Sequence, residues 1–393
     1  MSKIDELIAK LCPDGVKYKE LGDFINYQQP TKFIVKSTQY DDNNVTPVLT
    51  AGQSFILGYT NENEGIYSAS KETPVIIFDD FTTSFHWVDF AFKVKSSAMK
   101  ILTIKDDVEA HFRYLFYAMK CIGFKPQDHA RHWISIYSKF QIPIPPLPVQ
   151  EEIVRVLDKF TALEAELEAE LEARTLQYEY YRNQLLSFEG KDVEWKALGD
   201  IGEFIRGKRF VRTDMIESGF PCIHYGEMYT YYNVFAKESK SFISEELAKK
   251  LRVANKGDVV IVAAGETIED IGKATAWLGD SDVVIHDACF IFKSSLNPKF
   301  VAYFSRTKLF HDQIKRHISS GKISAINAKG LEKAKIPVPP LDEQERIVTI
   351  LDQFDALVND ISVGLPAEIQ ARRQQYEYYR GKLLTFEPVA VAQ

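Results

Sequence analysis

A chain of 393 residues with 45% hydrophobic and 12% aromatic content carries enough apolar material for more than one core, because single cores stop growing at roughly 250 residues. Its four cysteines form no Cys-x-x-Cys pair and no histidine stands at metal-ligand spacing, which argues against a disulfide framework or zinc ribbon and for a reducing, cytoplasmic setting; no run approaches the ~18 apolar residues of a membrane span, and no signal-like segment opens the chain. The net charge of −7 is unevenly spread, at −1 for residues 1–141, −6 for 142–189, +4 for 190–335 and −4 for 336–393.

In chain order, a lead-in VKYKELGD (16–23) precedes an apolar run at 73–78 (TPVIIF) that reads as a buried strand, then a helical pattern over Glu109 to Lys120. Pro143, Pro145, Pro146 and Pro148 hold the backbone extended before a long helix expected from Gln150 to Phe188. Its apolar positions, Ile153, Val156, Leu157, Phe160, Leu163, Leu167 and Leu171, follow helical spacing, and at ~1.5 Å per residue it would span ~58 Å. Within it Leu-Glu-Ala-Glu recurs from Leu163, which reads either as good helix-forming composition or as a spacer adding ~6 Å per unit.

The pattern then begins again. VEWKALGD (193–200) echoes the lead-in, and 258–263 (DVVIVA) and 283–285 read as strands. Pro298 to His311 reads as a helix, and Pro337, Pro339 and Pro340 precede a second long helix. Asp342 with Glu345 has the spacing of a capping box, while Gly364 and Pro366 predict a kink or break.

The recurrence is close. IPIPPLPVQEEIVRVLDKFTAL (142–163) returns 194 positions later as IPVPPLDEQERIVTILDQFDAL (336–357) with 14 identities in 22, and QYEYYRNQLLSFE (177–189) returns as QYEYYRGKLLTFE (375–387) with 10 in 13. The chain is therefore a tandem duplication. The expected fold is α/β, with two domains (1–148 and 190–341) separated by two long helices (149–189 and 342–388) that bury their amphipathic stripes as an antiparallel coiled coil about a pseudo-two-fold.

Motifs for chemistry are absent or broken. Asn297-Pro298-Lys299-Phe300 misses by one residue the Asn-Pro-Pro-aromatic motif that holds a flipped base, Glu238-Ser239-Lys240 lacks the upstream Pro-Asp of a metal-dependent nuclease, and Gly265 to Ala274 lacks phosphate-loop spacing. No catalytic or metal site is expected on this chain. Basic clusters lie in the non-repeated stretches: Lys93, Lys95 and Lys100; Lys125 with His129, Arg131 and His132; Arg206, Lys208, Arg209 and Arg212; and Lys315, Arg316 and His317 leading to Lys322. Each reads either as a solvated face or as a phosphate-binding surface.

The paired IPIPPLPVQEEIV and IPVPPLDEQERIV segments, each followed by a long helix closing in YEYYR, resemble the conserved regions of type I restriction-modification specificity subunits. The resemblance implies two target-recognition domains, each reading half of a split, asymmetric double-stranded DNA site. It further implies two modification subunits that methylate adenine with S-adenosylmethionine, and two ATP- and Mg-dependent restriction subunits. This chain would itself bind no cofactor. Open beside it are a methylase-only system, a single-chain restriction enzyme and a coiled-coil scaffold. Candidate DNA contacts are Lys32, Lys93, Lys95, Lys125, Arg131 and His132 in the first domain and Arg206, Lys208, Arg209, Arg212, His224, Tyr225, Lys273 and Lys322 in the second. Candidate partner contacts are Gln150, Glu151, Tyr178 and Arg182 with their repeats Gln344, Glu345, Tyr376 and Arg380, the tyrosines reading equally well as helix packing.

Overall fold

The computed structural model describes residues 3–52, 54–321 and 323–389. The chain forms two compact units, one of residues 1–166 with 369–393, the other of residues 167–368.

Unit one opens with helix α1 (Lys3–Leu11), then strands β1 (Lys17–Glu20), β2 (Ile25–Gln28), β3 (Thr46–Leu49), β4 (Ile56–Thr60), β5 (Val75–Asp79), β6 (Phe85–Val88), β7 (Lys93–Val94) and β8 (Met99–Ile104). Helix α2 (Phe112–Lys120) and strand β9 (Gln141–Ile144) follow, then the long helix α3 (Leu147–Ser187), whose residues from Leu167 on belong to unit two. A four-stranded sheet runs β2-β8-β5-β6 and a three-stranded one β4-β3-β7. The apolar run at β5 is uninterrupted because both its faces are covered. Ile76 and Phe78 join the core beneath α2, and Val75 and Ile77 join the core shared with β3 and β7.

Unit two contains β10 (Trp195–Ala197), β11 (Gly202–Arg206), β12 (Met215–Ile216), β13 (Phe220–Ile223), β14 (Phe235–Ala236), β15 (Ser241–Ile243), β16 (Val253–Ala254) and β17 (Val259–Val262). It continues through β18 (Ala264–Gly265), β19 (Ala274–Trp277), β20 (Val283–Ile285), β21 (Cys289–Ser294), helices α4 (Pro298–Phe304) and α5 (Lys308–Lys315), β22 (Ser324–Ala325), β23 (Lys335–Pro337) and helix α6 (Leu341–Asn359). Its sheets run β11-β21-β17-β19-β14 and β12-β15-β13-β20-β16. The order β11-β21-β17-β19 reproduces β2-β8-β5-β6, so the two domains share a scaffold that their sequences conceal. Lead-in and exit strands pair alike in both, β1 with β9 and β10 with β23.

The last helix, α7 (Leu365–Leu383), follows the break that Gly364 and Pro366 predict. The expected capping box does not form. Pro340 occupies the N-cap without a side-chain cap, and Glu345 instead accepts from the Asn297 amide at 2.6 Å. The helix expected over Pro298 to His311 is two, because Ser305 closes α4 and the Thr307 hydroxyl caps α5. Asn297 caps α4, accepting from the amides of Lys299 and Phe300 with Pro298 in the first turn. That accounts for the near-motif at 297–300 without chemistry.

Each unit closes its core with the helix start of one repeat and the helix end of the other. In unit one Phe160 of α3 stacks on Tyr379 of α7 at 5.5 Å and Arg373 pairs with Glu164, an antiparallel contact. In unit two Phe354 of α6 stacks on Tyr181 of α3, also at 5.5 Å. Leu384 and Phe386 enter the first core as Leu186 and Phe188 enter the second. Val16 then donates to the Glu387 carbonyl at 2.8 Å and accepts from Val389, and Tyr18 donates to the Phe386 carbonyl. Gly15 has a φ of +97°, and a Cβ there would lie 2.6 Å from the Glu387 oxygen, so the two chain ends meet too closely for a side chain.

Phe386→Ala is expected to cost unit one ~3 kcal/mol. Limited proteolysis should then nick residues of unit one at lower temperature while unit two keeps its resistance; equal resistance in both would contradict this assembly.

Candidate nucleic-acid interface

In unit one the surface candidates divide into two groups. Lys95 is exposed and donates to the Tyr40 hydroxyl at 3.3 Å, and Lys32 is exposed on a single turn at Thr31–Phe33; both sit with the three-stranded sheet. The other group surrounds the tip between β5 and β6. Asp80 there is buried, pairs with the buried Lys100 at 3.0 Å, and accepts from the Trp133 amide at 2.9 Å. This anchors the loop carrying Lys125, His129 and Arg131 against the tip. His129 stacks on Phe81 at 4.5 Å, and the Arg131 guanidinium lies 5.8 Å over the same ring. The cluster Phe81, His129 and Arg131 offers a flat π surface with a cation above it, a combination that grips bases and phosphates. Phe81 was missed in the sequence because nothing marks a single aromatic in DDFTTS as a tip residue.

Two candidates in this unit lie inside. Lys93 is 1% exposed, its ammonium paired with Glu62 at 3.2 Å and donating to the carbonyls of Glu64 and Gly65. His132 is 2% exposed, edge-on to Phe124, with Nε2 3.4 Å from Asp128. Neither reaches the surface. The apparent cluster Lys93, Lys95 and Lys100 thus reduces to Lys95, since buried lysines persist only when paired.

Unit two concentrates its candidates more tightly. Arg212, His224 and Tyr225 line one cavity of about 750 Å³ together with Tyr229, Lys240 and Asp270. His224 and His286 lie 4.8 Å apart, with Tyr225 4.6 Å from the first and 5.0 Å from the second. Burial pushes both imidazoles below their ordinary pKa, against the opposing carboxylates Glu227 and Asp287, so both are neutral at pH 7. They offer hydrogen-bonding edges rather than charge.

Gly207 holds the strap that carries the arginines, because a Cβ there would lie 2.2 Å from the His286 carbonyl. The strap leaves Arg209 and Arg212 exposed. Arg206 and Lys208, also exposed, donate to the carbonyls of Asp287 and Lys250. Lys273 is engaged by Asp270 at 2.6 Å, and Lys322 lies outside the described residues. No group of three or more His, Cys, Asp or Glu among the described residues could hold a metal ion, and no described helix is long and apolar enough to cross a membrane.

Of the eight candidate partner residues Gln150, Tyr178 and Gln344 are buried, Arg182, Tyr376 and Arg380 half-buried, and Glu151 and Glu345 exposed. Gln150 and Gln344, each 1% exposed, perform one identical task. Gln150 donates to the Pro145 carbonyl at 2.7 Å and accepts from the His111 amide at 2.9 Å; Gln344 donates to Pro339 at 2.8 Å and accepts from Asn297 at 2.9 Å. Each glutamine ties the start of a long helix to the start of α2 or α4. About two turns further on, Tyr117 and Arg113 hold Asp158 as Tyr303 and Lys299 hold Asp352.

Tyr178 is buried against Asp355, and Arg182 and Arg380 cover the rings of Tyr178 and Tyr376. The exposed members of the two YEYY motifs are their neighbours, Tyr180 at 59% and Tyr378 at 64%, with Tyr181 and Tyr379 beside them. Glu151 is exposed, as is Glu345 on its outer side.

A family model described as type I restriction modification DNA specificity domain matches residues 13–173 and again 190–371. The chain is 42% identical to the type I restriction enzyme EcoR124I/EcoR124II specificity subunit of Escherichia coli, over 98% of each. It is 30% identical to a putative type I restriction enzyme specificity subunit of Haemophilus influenzae, over 94% of this chain and 96% of that one. In fold it is similar to the type I restriction-modification S subunit of M. genitalium, at 14% identity and a TM-score of 0.55 over 94% of this chain and 96% of that one.

Gln150→Ala and Gln344→Ala each strand one buried amide and one buried carbonyl, and each is expected to cost ~1–3 kcal/mol. Denaturant titration of both variants should give similar losses. A loss confined to one would show that the two clasps are not equivalent.

Proposed function

The chain belongs to the family of type I restriction-modification DNA specificity subunits, and on that footing we propose that it reads a split, asymmetric double-stranded DNA site in the cytoplasm, one half per domain. The duplication carries this reading: two copies of one scaffold are matched in their cores and differ in their exposed tips and loops. Two unlike surfaces on like scaffolds suit two unlike half-sites. In the second domain Arg209 and Arg212 suit bidentate contacts to guanine, and the neutral His224 and Tyr225 suit hydrogen bonds to base edges. In the first, Arg131 with Phe81 and His129 suits base and phosphate contacts, with Lys32, Lys95 and Lys125 holding phosphate.

The chemistry belongs to partners: two modification subunits that transfer a methyl group from S-adenosylmethionine to adenine, and two restriction subunits driven by ATP with Mg. The exposed tyrosine pairs Tyr180–Tyr181 and Tyr378–Tyr379, with Glu151 and Glu345, recur in both copies and suit two copies of one partner. Tyrosines of this kind supply large contact area at small entropic cost.

Methylation mapping of a host expressing this chain with its modification subunit, against that subunit alone, tests the reading. A split asymmetric motif appearing only with this chain is expected. No methylation, together with no salt-sensitive duplex binding by the assembled complex, would favour a scaffold that ignores DNA.

Helix α3 runs unbroken for 41 residues, and we propose that it sets the unread gap between half-sites. Deleting residues 167–170 removes ~6 Å of helix and is expected to shorten the gap by one or two base pairs at ~3.4 Å each. The same mapping reads the result, and an unchanged spacing would refute the strut.

A further inference from the structure

The two domains differ at one sheet edge. In unit two β14 adds a fifth strand, parallel to β19, with Ala276 N–H donating to the Val234 carbonyl and Leu278 N–H to the Ala236 carbonyl, each at 2.8 Å. Among the described residues of unit one the sheet stops at β6. The counterparts are fixed by register and by a shared contact. Lys120 donates to the Phe85 carbonyl as Arg306 donates to that of Ala274, so Trp87 stands where Ala276 stands and Asp89 where Leu278 stands.

Where unit two carries β14, unit one has a groove of about 1140 Å³ lined by Trp87, Asp89, Arg113, Asp158 and Thr161. Three of these match residues that hold β14. Ala276, the counterpart of Trp87, pairs with the strand; Lys299, the counterpart of Arg113, lies 3.8 Å over the Phe235 ring; and Asp355, the counterpart of Thr161, accepts from Asn233 at 3.1 Å. The groove is the place of a missing strand.

We propose that this groove takes an extended segment of a partner protein, laid parallel to β6 as its fifth strand. Edge strands with free amides recruit such segments. The lining states the occupant's chemistry. Arg113 lies 4.6 Å over the Trp87 ring as Lys299 lies 3.8 Å over the Phe235 ring in unit two, so Trp87 takes the part of the Phe235 ring and the facing residue of the occupant is small. Asp89 is half-buried and has no cation or hydrogen-bond donor on its carboxylate among the described residues, where unit two has the apolar Leu278 beside the strand that continues into Lys237. The occupant therefore carries a basic residue two places after the small one. This inference stands on the comparison of the two domains and is independent of the DNA reading, so methylation mapping can fail without touching it.

The test uses the full chain and a fluorescent heptapeptide, YNVSAKE, which is residues 232–238 with serine for the phenylalanine. Fluorescence anisotropy should report saturable binding. Asp89→Lys should weaken it ~10-fold, and YNVSAEE should recover binding to that variant. YNVSPKE, which lacks the strand amide, should not bind. Amide exchange at Trp87 and Asp89 should slow at saturating peptide. Absence of binding up to ~1 mM by chain of unchanged circular dichroism would overturn the proposal. Binding indifferent to the proline and to the charge at 89, checked also with Asp89→Asn, would overturn it equally, as would edge amides that stay unprotected.

Discussion

Neither core can be closed from one copy of the repeat. The first joins Leu157 to Leu384 and Phe386, the second joins Leu351 to Leu186 and Phe188, and the lead-in at Gly15 and Val16 needs the carbonyl of Glu387. In the second unit the corresponding join is ordinary chain, running from Phe188 through Gly190 to Val193. In the first it is made by packing and hydrogen bonds alone. This exchange explains why the helix starts and helix ends are the segments that stayed alike. Each must fit a partner encoded roughly two hundred residues away, so a change in one strains a core assembled from both.

The same reasoning explains the glutamines. A helix that begins after a polyproline-like run leaves its first amides and the preceding carbonyls without helical partners. Gln150 and Gln344 reach back five residues to the carbonyls of Pro145 and Pro339 and forward to the start of the neighbouring helix. They make the Pro-Pro-Leu-x-x-Gln element a joint between the long helix and the domain it follows. Asp158 and Asp352, about two turns further along each helix, accept from a tyrosine and a cation in each unit. Polar side chains in both copies thus hold a sheet-bearing domain to its long helix at fixed angle.

Much of this was legible in the sequence, for a physical reason. Duplication leaves identities where packing is exacting, so the helices, their apolar stripes and the break at Gly364 could be read directly. The shared strand order could not, because a β core asks only for apolar volume at alternate positions, which many sequences supply. Lys93 and Lys100 misled because strand residues alternate sides, and a lysine's charge gives no hint of which side it takes until Glu62 and Asp80 are placed beside it. In YEYY, the buried and exposed tyrosines differ only by their angle around the helix. Phe81 needed the β5–β6 tip to exist before its pairing with His129 meant anything.

What differs between the copies is as informative as what agrees. The tip between β5 and β6 is short and anchored by a buried Asp80–Lys100 pair. The equivalent connection in the second unit is longer, carries β18 paired with β22, and borders a cavity built from Arg212, His224 and Tyr225. One tip offers a stacked aromatic pair beneath a guanidinium, the other neutral imidazoles and a phenol beside exposed arginines. These groups differ in chemistry, stacking and charge in one case and hydrogen-bonding edges in the other. A scaffold held constant by clasps and shared cores allows its tips to diverge without cost to folding. That separation lets one chain carry two unlike surfaces on one scaffold.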